Sequence, residues 1–286
     1  DWSSDVCSSD LLKKLAKLYH GKEQSGFLLS QEWWSGKIDK YFNLRFLKTR
    51  HNWRYKGRVH EYLSQDGKTE GVVKVNDKIV LYQDRLADNN KSGPRFVRDK
   101  KLLLEDYEED PTEPRTVFYL AQTCGCLQQW DEALKYYEIR SNLEGFQEEV
   151  FHSYLRAGEM SETLKKPWYE SMIWYIKAFE HSKRAEPMVN IARYYEREKD
   201  WLMSFIFCDI ACKLEYPKNA ILFVNRQAYE FDRWRLMGIV GWYSGKLEEG
   251  FKACQRAIEN GDKMGMDTSL DKNNFNYYLK KFKELE

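Results

Sequence analysis

Small side chains recur along the second half of the chain at intervals of twelve and then seven positions, with bulky apolar residues between them. Ala192, Ser204 and Ala211 have that spacing, and so do Gly238, Gly250 and Ala257. Ala121 and Ala133 supply the first interval a third time, with Arg140 where the last small residue would sit. Ser171 and Ala178 supply only the second, in a unit stretched by the Lys165-Lys166-Pro167-Trp168 break. Two antiparallel helices approach closely only where side chains are small, so this pattern predicts three or four degenerate helix-turn-helix repeats. Tyr136, Tyr137, Phe207 and Phe251 are the bulky partners that fill between them.

The first third reads differently. Leu11, Leu12, Leu15 and Leu18 sit at helical spacing with lysines opposite, which predicts an amphipathic helix ended by Gly21. Near-alternating apolar positions over Gly26–Trp34 and Tyr41–Thr49 suit short strands, as does Val59–Leu63 before a Gln65-Asp66-Gly67 turn signal. Val72, Val73 and Val75, then Ile79, Val80 and Leu81, extend the strand-rich reading to about Tyr82. Asp84–Gly93 is polar and turn-forming and marks a boundary or connecting loop. From Phe96 the pattern is helical, interrupted by the acidic, solvated Glu108–Pro114 break, and Gly261–Asp271 reads as a loop before a capping helix at Phe275–Leu285. The expected fold is an α+β N-terminal piece followed by a mainly α-helical, tetratricopeptide-like (TPR-like) repeat domain. Residues 12–93, 94–262 and 263–286 are its three parts.

Composition narrows the classes. With 42% hydrophobic and 15% aromatic residues over 286 positions, the chain is folded rather than disordered. Forty-six Lys and Arg against forty-five Asp and Glu give +1, so no global basic field attracts nucleic acid, and neither nucleic acid nor a membrane is an expected partner. No run approaches the roughly 18 apolar residues of a membrane span. Residues 1–11, Asp-Trp-Ser-Ser-Asp-Val-Cys-Ser-Ser-Asp-Leu, read as a translated sequencing adapter, which places the natural chain's entry at about Leu11 or Leu12. The cysteines beyond Cys7 are odd in number and scattered through helical patterns, which fits reduced core thiols and a cytoplasmic setting. Cys208 and Cys212 share a helix face, but no second close ligand pair accompanies them or His152 and His181, so zinc is not expected.

Candidate chemistry concentrates in His51–Leu63. Arg50, Arg54, Lys56 and Arg58 surround Trp53 and Tyr55, and His60-Glu61 follows in a strand-like context that points neighbouring side chains to opposite faces. Clustered cations suit a diphosphate, a carboxylate suits deprotonation of a hydroxyl, and the aromatic rings suit stacking on a sugar. An edge strand with solvated basic residues and a structural histidine fits the same residues, and the pattern leaves both readings open.

Trp53-Arg-Tyr-Lys-Gly-Arg-Val-His-Glu-Tyr62 resembles the Val-His-Glu segment of family 2 glycosyltransferases of the GT-A type. Arg98-Asp99, Pro111, Arg115, Phe118–Gln122, Tyr137, Arg140 and Gly145–Glu149 continue the similarity, as do Arg184-Ala185-Glu186 and Leu222-Phe223-Val224. The resemblance implies transfer from a nucleotide sugar to a glycan, protein or lipid acceptor with Mn or Mg, the nucleotide and metal half lying before Leu11 and this part inactive alone. It implies Glu61 as the catalytic carboxylate, His60 as its neighbour, and Trp53, Arg54, Tyr55 and Arg58 against substrate. Arg85, Lys91 and Arg95 fit closure over the leaving diphosphate and equally a solvated polar loop, and Asp84 fits a metal ligand where relatives carry a histidine, or else the site is built differently. The competing expectation is a non-catalytic interaction scaffold whose repeats bind a protein partner, with the β-rich segment as a cap.

Overall fold

A computed structural model of the chain describes residues 8–33, 39–65, 71–75, 79–83 and 92–285. The chain divides into two units: residues 1–123 with 220–224, and residues 124–219 with 225–286.

The first unit opens with α1 (Ser8–Tyr19), followed by β1 (Gly26–Trp33), β2 (Asp39–Leu47), β3 (Arg54–Lys56), β4 (Tyr62–Ser64), β5 (Val72–Lys74) and β6 (Val80–Gln83). Strand β1 is central. It pairs antiparallel with β2 from Gly26↔Leu47 to Glu32↔Lys40, with a bulge at Phe27/Leu28. The parallel strands β5 and β6 pair with its first and second halves. The segment 220–224 returns to this sheet: Phe42 N–H donates to the Ile221 carbonyl at 2.8 Å and Lys74 Nζ to the Ala220 carbonyl at 3.1 Å. Three of the four leucines of the α1 stripe pack as their spacing predicts, Leu11, Leu12 and Leu15 joining Phe27, Leu29, Val75 and Ile79 in one cluster, while Leu18 stays exposed. Gly21 takes φ +75 just past the helix, where an L side chain would be strained.

Two expectations are corrected here. Val59-His60-Glu61 is not strand: Gly57 at φ +94 and His60 at φ +52 bend the chain into a loop, and only the short antiparallel hairpin β3–β4, Arg54↔Ser64 to Lys56↔Tyr62, flanks it. The alternation argument that set His60 and Glu61 on opposite faces therefore lapses. The other is the GT-A-like piece, because what the described residues form is a small mixed sheet centred on β1, the two-stranded β3–β4 hairpin and a mostly helical remainder.

Helices α2 (Ser92–Glu109) and α3 (Pro114–Cys126) lead into the second unit, which contains α4 (Trp130–Ser141), α5 (Gln147–Thr163), α6 (Trp168–His181), α7 (Ala185–Arg197), α8 (Trp201–Lys213), α9 (Arg233–Tyr243), α10 (Leu247–Lys263) and α11 (Ser269–Leu285). A π-helical turn at Ala228–Asp232 runs into α9. Each helix from α4 to α11 packs on its sequence neighbour. The pairs are α5/α6, α7/α8 and α9/α10, preceded by α4 and followed by α11.

The turns repeat as closely as the helices. Gln128, Lys165, Lys199, Gly245 and Gly265 all carry positive φ, between +54 and +71, at the end of a helix. The next residue then closes a Schellman turn onto the carbonyl five positions back: Gln129→Cys124, Lys166→Ser161, Asp200→Tyr195, Lys246→Gly241 and Met266→Gly261, at 2.8 to 3.0 Å. The small residues sit where the repeat needs them. Ser204 is fully buried and its Oγ donates to the Ala192 carbonyl at 2.8 Å, stitching α8 to α7. Gly250 leaves room for Tyr278 of α11, whose hydroxyl donates to the Gly238 carbonyl at 3.0 Å; a Cβ at Gly250 would collide with that hydroxyl. The stretched unit has its missing partner in Gly158, which meets the Tyr175 ring and precedes Ser171 by thirteen positions rather than twelve. Pro167 after the α5 turn accounts for the extra residue.

Arg140 stands in place of a small residue and is wholly buried. It donates to Glu149 Oε2 at 3.0 Å and to the carbonyls of Leu143 and Phe146, so one side chain pins the α4–α5 connection.

Candidate interaction site

A cleft of about 290 Å³ opens in the second unit between α7 and α9, the first helices of consecutive pairs. Leu236 and Ile239 give it an apolar floor, and Arg193, Glu196, Arg197, Asp232 and Arg235 give it charged walls. These residues recur at three- and four-residue intervals on α7 and α9, which puts them on one face of each helix. The arginines are held in place. Arg193 reaches Asp232 at 2.6 Å, Arg197 reaches Glu162 of α5 at 2.8 Å, and Arg235 Nε lies 3.1 Å from Asp271 of α11. Arg193 and Arg197 remain substantially exposed while Asp232 and Asp271 are buried, so the cations present their outer N–H groups to solvent and their inner ones to carboxylates. Exposed pairs of this kind contribute about 0–1 kcal/mol each. Their consequence is order rather than stability: a wall of alternating charge is positioned in advance of any ligand.

Beside the cleft a buried polar knot fixes the start of α7. Arg184 pairs with Glu186, Glu186 accepts from the Tyr229 hydroxyl at 2.8 Å, and that hydroxyl accepts from the Ala185 N–H at 3.0 Å. Burial pushes the Tyr229 phenol well above its ordinary range, with the Glu186 carboxylate adding to the effect. An aromatic run follows: Trp168 stacks on Tyr194 at 3.6 Å, and Tyr195 stacks on Phe207 at 6.0 Å. The i, i+4 thiols of Cys208 and Cys212 both meet the Arg233 carbonyl, at 3.3 and 3.6 Å, and burial drives the Cys208 thiol well up, which leaves it an inert core group.

The residues singled out by sequence are brought together only in part. His60 stacks on Tyr119 at 4.0 Å, and Arg115 reaches its carbonyl at 3.3 Å. The ring keeps an exposed edge, yet its pKa is pushed down to about 4. Loss of water is the first cause, with the Arg115 and Arg95 charges adding to it and Asp99 and Glu61 opposing. Arg95 thus stands near His60 while also 3.9 Å from Asp99. Arg58 is drawn to Asp106 and to Glu109 of α2, at 2.5 Å for the latter, which raises its pKa and lowers that of Glu109. Glu61 is exposed. Trp53 is half-buried with Nε1 donating to the Ser25 carbonyl, whereas Arg54, Tyr55 and Lys56 are all exposed on β3. Asp84, Arg85 and Lys91 lie outside the described residues. Among the described residues no group of three His, Cys, Asp or Glu side chains is placed to hold a metal ion.

No family model matches the chain, and no curated protein matches it. Solved structures do. MamA superposes with a TM-score of 0.48 at 13% identity over 65% of this chain and 99% of MamA. YrrB, described as a TPR protein with an unusual peptide-binding site, superposes at 0.45 and 14% identity over 65% of this chain and 87% of its own. PilW, a type IV pilus biogenesis factor, superposes at 0.43 and 11% identity over 68% of this chain and 87% of its own.

The glycosyltransferase reading is corrected by the architecture: the described residues form a small mixed sheet, a short hairpin and a run of helices rather than a GT-A domain, and within the segment that carried the resemblance His60 lies on Tyr119 in a left-handed bend and Arg58 is engaged by α2.

Proposed function

We propose that the chain is a protein-interaction scaffold whose cleft between α7 and α9 receives an extended segment of a partner protein. The observation that carries this reading is the cleft itself: an apolar floor of Leu236 and Ile239 under arginines already oriented by Asp232, Glu162 and Asp271. Repeat stacks create extended concave surfaces of this kind, and a preordered wall lowers the entropy lost on binding. A segment that alternates apolar and charged residues fits the floor and both wall signs.

The test is selection of peptides from a displayed random library against the full chain. Peptides that occupy the cleft lose at least tenfold in affinity, about 1.4 kcal/mol, with Ile239→Ser or Arg193→Gln, while circular dichroism shows both variants folded as the parent is. Selected peptides that bind both variants like the parent overturn the reading.

A further inference from the structure

The near-zero net charge conceals a division. Residues 11–64 hold twelve Lys and Arg against four Asp and Glu, a local excess of eight, whereas residues 102–286 carry a net −7. Seven of these twelve cations also stand without a carboxylate. Lys17, Lys22, Arg45, Lys48, Arg50, Arg54 and Lys56 form no ion pair with a carboxylate among the described residues, in contrast to the arginines of the cleft. Isolated surface lysines are commonplace, but these converge.

Lys48 Nζ and Arg50 both donate to one acceptor, the Lys22 carbonyl, at 2.5 and 3.0 Å. The Ser25 carbonyl three residues on accepts from the Lys48 N–H at 2.9 Å and from Trp53 Nε1 at 3.3 Å. The loop between α1 and β1 is thereby clamped so that Lys48, Arg50 and Trp53 stand side by side. The Lys48 pKa is lowered, by lost hydration first and then by Arg50 and Lys22, the mark of like charges held close. Arg50 Nε donates to His51 Nε2 at 3.2 Å, which turns the imidazole toward the same cluster as an acceptor. Immediately after, β3 exposes Arg54, Tyr55 and Lys56 in succession, with Tyr55 68% accessible.

We infer that this face binds a single-stranded nucleic acid, its phosphates on the Lys22, Lys48 and Arg50 cations and a base on the exposed ring of Tyr55, which lies two residues from Trp53 and so on its side of the chain. Clustered cations matched to a polyanion give the affinity, and an aromatic face free to stack gives a contact that every base can make. A bilayer fits less well, because the apolar stripe of α1 is already buried on Phe27 and Leu29 and only Leu18 remains exposed to insert. An acidic peptide uses the cations but has no base for Tyr55. The cancellation of this charge by the rest of the chain is the reason whole-chain composition argues against such a partner.

The experiment uses the full chain and a fluorescein-labelled oligouridylate of about 20 nucleotides, longer than the roughly 4–16 of one compact single-strand site, followed by anisotropy across a salt series. Lys48→Gln with Arg50→Gln is expected to weaken binding at least tenfold and to flatten the log K against log salt slope by about 1.4, two phosphate contacts at roughly 0.7 each. Lys48→Arg retains binding, which separates the charge from the clamp. Tyr55→Ala is expected to weaken binding roughly 5- to 100-fold with the slope unchanged, as loss of stacking requires. The inference is overturned if the double variant binds RNA as the parent does. It is equally overturned if polyglutamate or phosphatidylserine vesicles bind as tightly as the RNA and lose affinity in the same variants.

Discussion

The two units spend their cations in opposite ways. In the second, arginines are matched to carboxylates across helices: Arg140 to Glu149, Arg184 to Glu186, Arg193 to Asp232, Arg235 to Asp271. On the basic face of the first, Lys48 and Arg50 crowd a backbone carbonyl and Arg54 and Lys56 face water, while Lys13, Arg58, Arg95 and Arg98 elsewhere in that unit meet carboxylates. Charges of the first kind position helices and order a cleft, and the removal of the fully buried ones, Arg140 and Arg184, is felt in folding. Charges of the second kind contribute little to stability and are available to a ligand.

Four outcomes test that contrast. The largest effect is expected at Arg140. Arg140→Ala leaves Glu149 buried and uncompensated and costs about 3–5 kcal/mol in urea denaturation, whereas replacing both Arg140 and Glu149 with Met and Leu restores most of it. A loss below about 1 kcal/mol for the single variant shows the pair to be dispensable. Gly250→Ala drives a Cβ into the Tyr278 hydroxyl and costs about 1–3 kcal/mol as overpacking, reduced when Tyr278→Phe removes the hydroxyl. Strict additivity of the two substitutions breaks the account of α11 as a helix keyed into that gap.

The third is a pH effect. His60 is neutral in the folded chain with a pKa of about 4 against 6.5 unfolded, so between these values the unfolded chain binds more protons. Stability therefore falls as pH drops from 6.5 toward 4 and levels below it. The exposed edge of the ring screens the effect to about 1 kcal/mol or less. His60→Gln is expected to flatten this part of the melting-temperature profile; a profile identical to the parent's removes His60 as its source. The smallest effect is expected at Lys56→Ala, within about 0.5 kcal/mol of the parent by thermal melting, because no carboxylate among the described residues partners it. A larger loss breaks the claim that the basic face is uncommitted to folding.

Much of the repeat was legible in the sequence because its cause is local and steric. Ser204 and Gly250 must be small for their helices to approach, and a small residue at a fixed interval is visible without a structure. Gly158 escaped notice because Pro167 lengthens its turn by one position, shifting the interval to thirteen. Arg140 looked like a defect in the pattern; its partner nine residues on, Glu149, was the signal that a buried pair fills the same place. The basic-aromatic stretch misled for a different reason. Alternating residue types suggested a strand through His60, yet Gly57 lies between two three-residue strands and was the sign of a hairpin loop. The cleft residues went unnoticed too, since Arg193 and Asp232 meet only through tertiary packing and neither belongs to a sequence motif.

The central claim is that binding is a property of the cleft between α7 and α9. Hydrogen–deuterium exchange of the full chain with and without a library-selected peptide tests it most directly. The account predicts slowed exchange confined to the amides of residues 190–197 and 232–239. Slowed exchange in the β3–β4 hairpin or on the outer helices α6 and α8, with α7 and α9 unchanged, contradicts it.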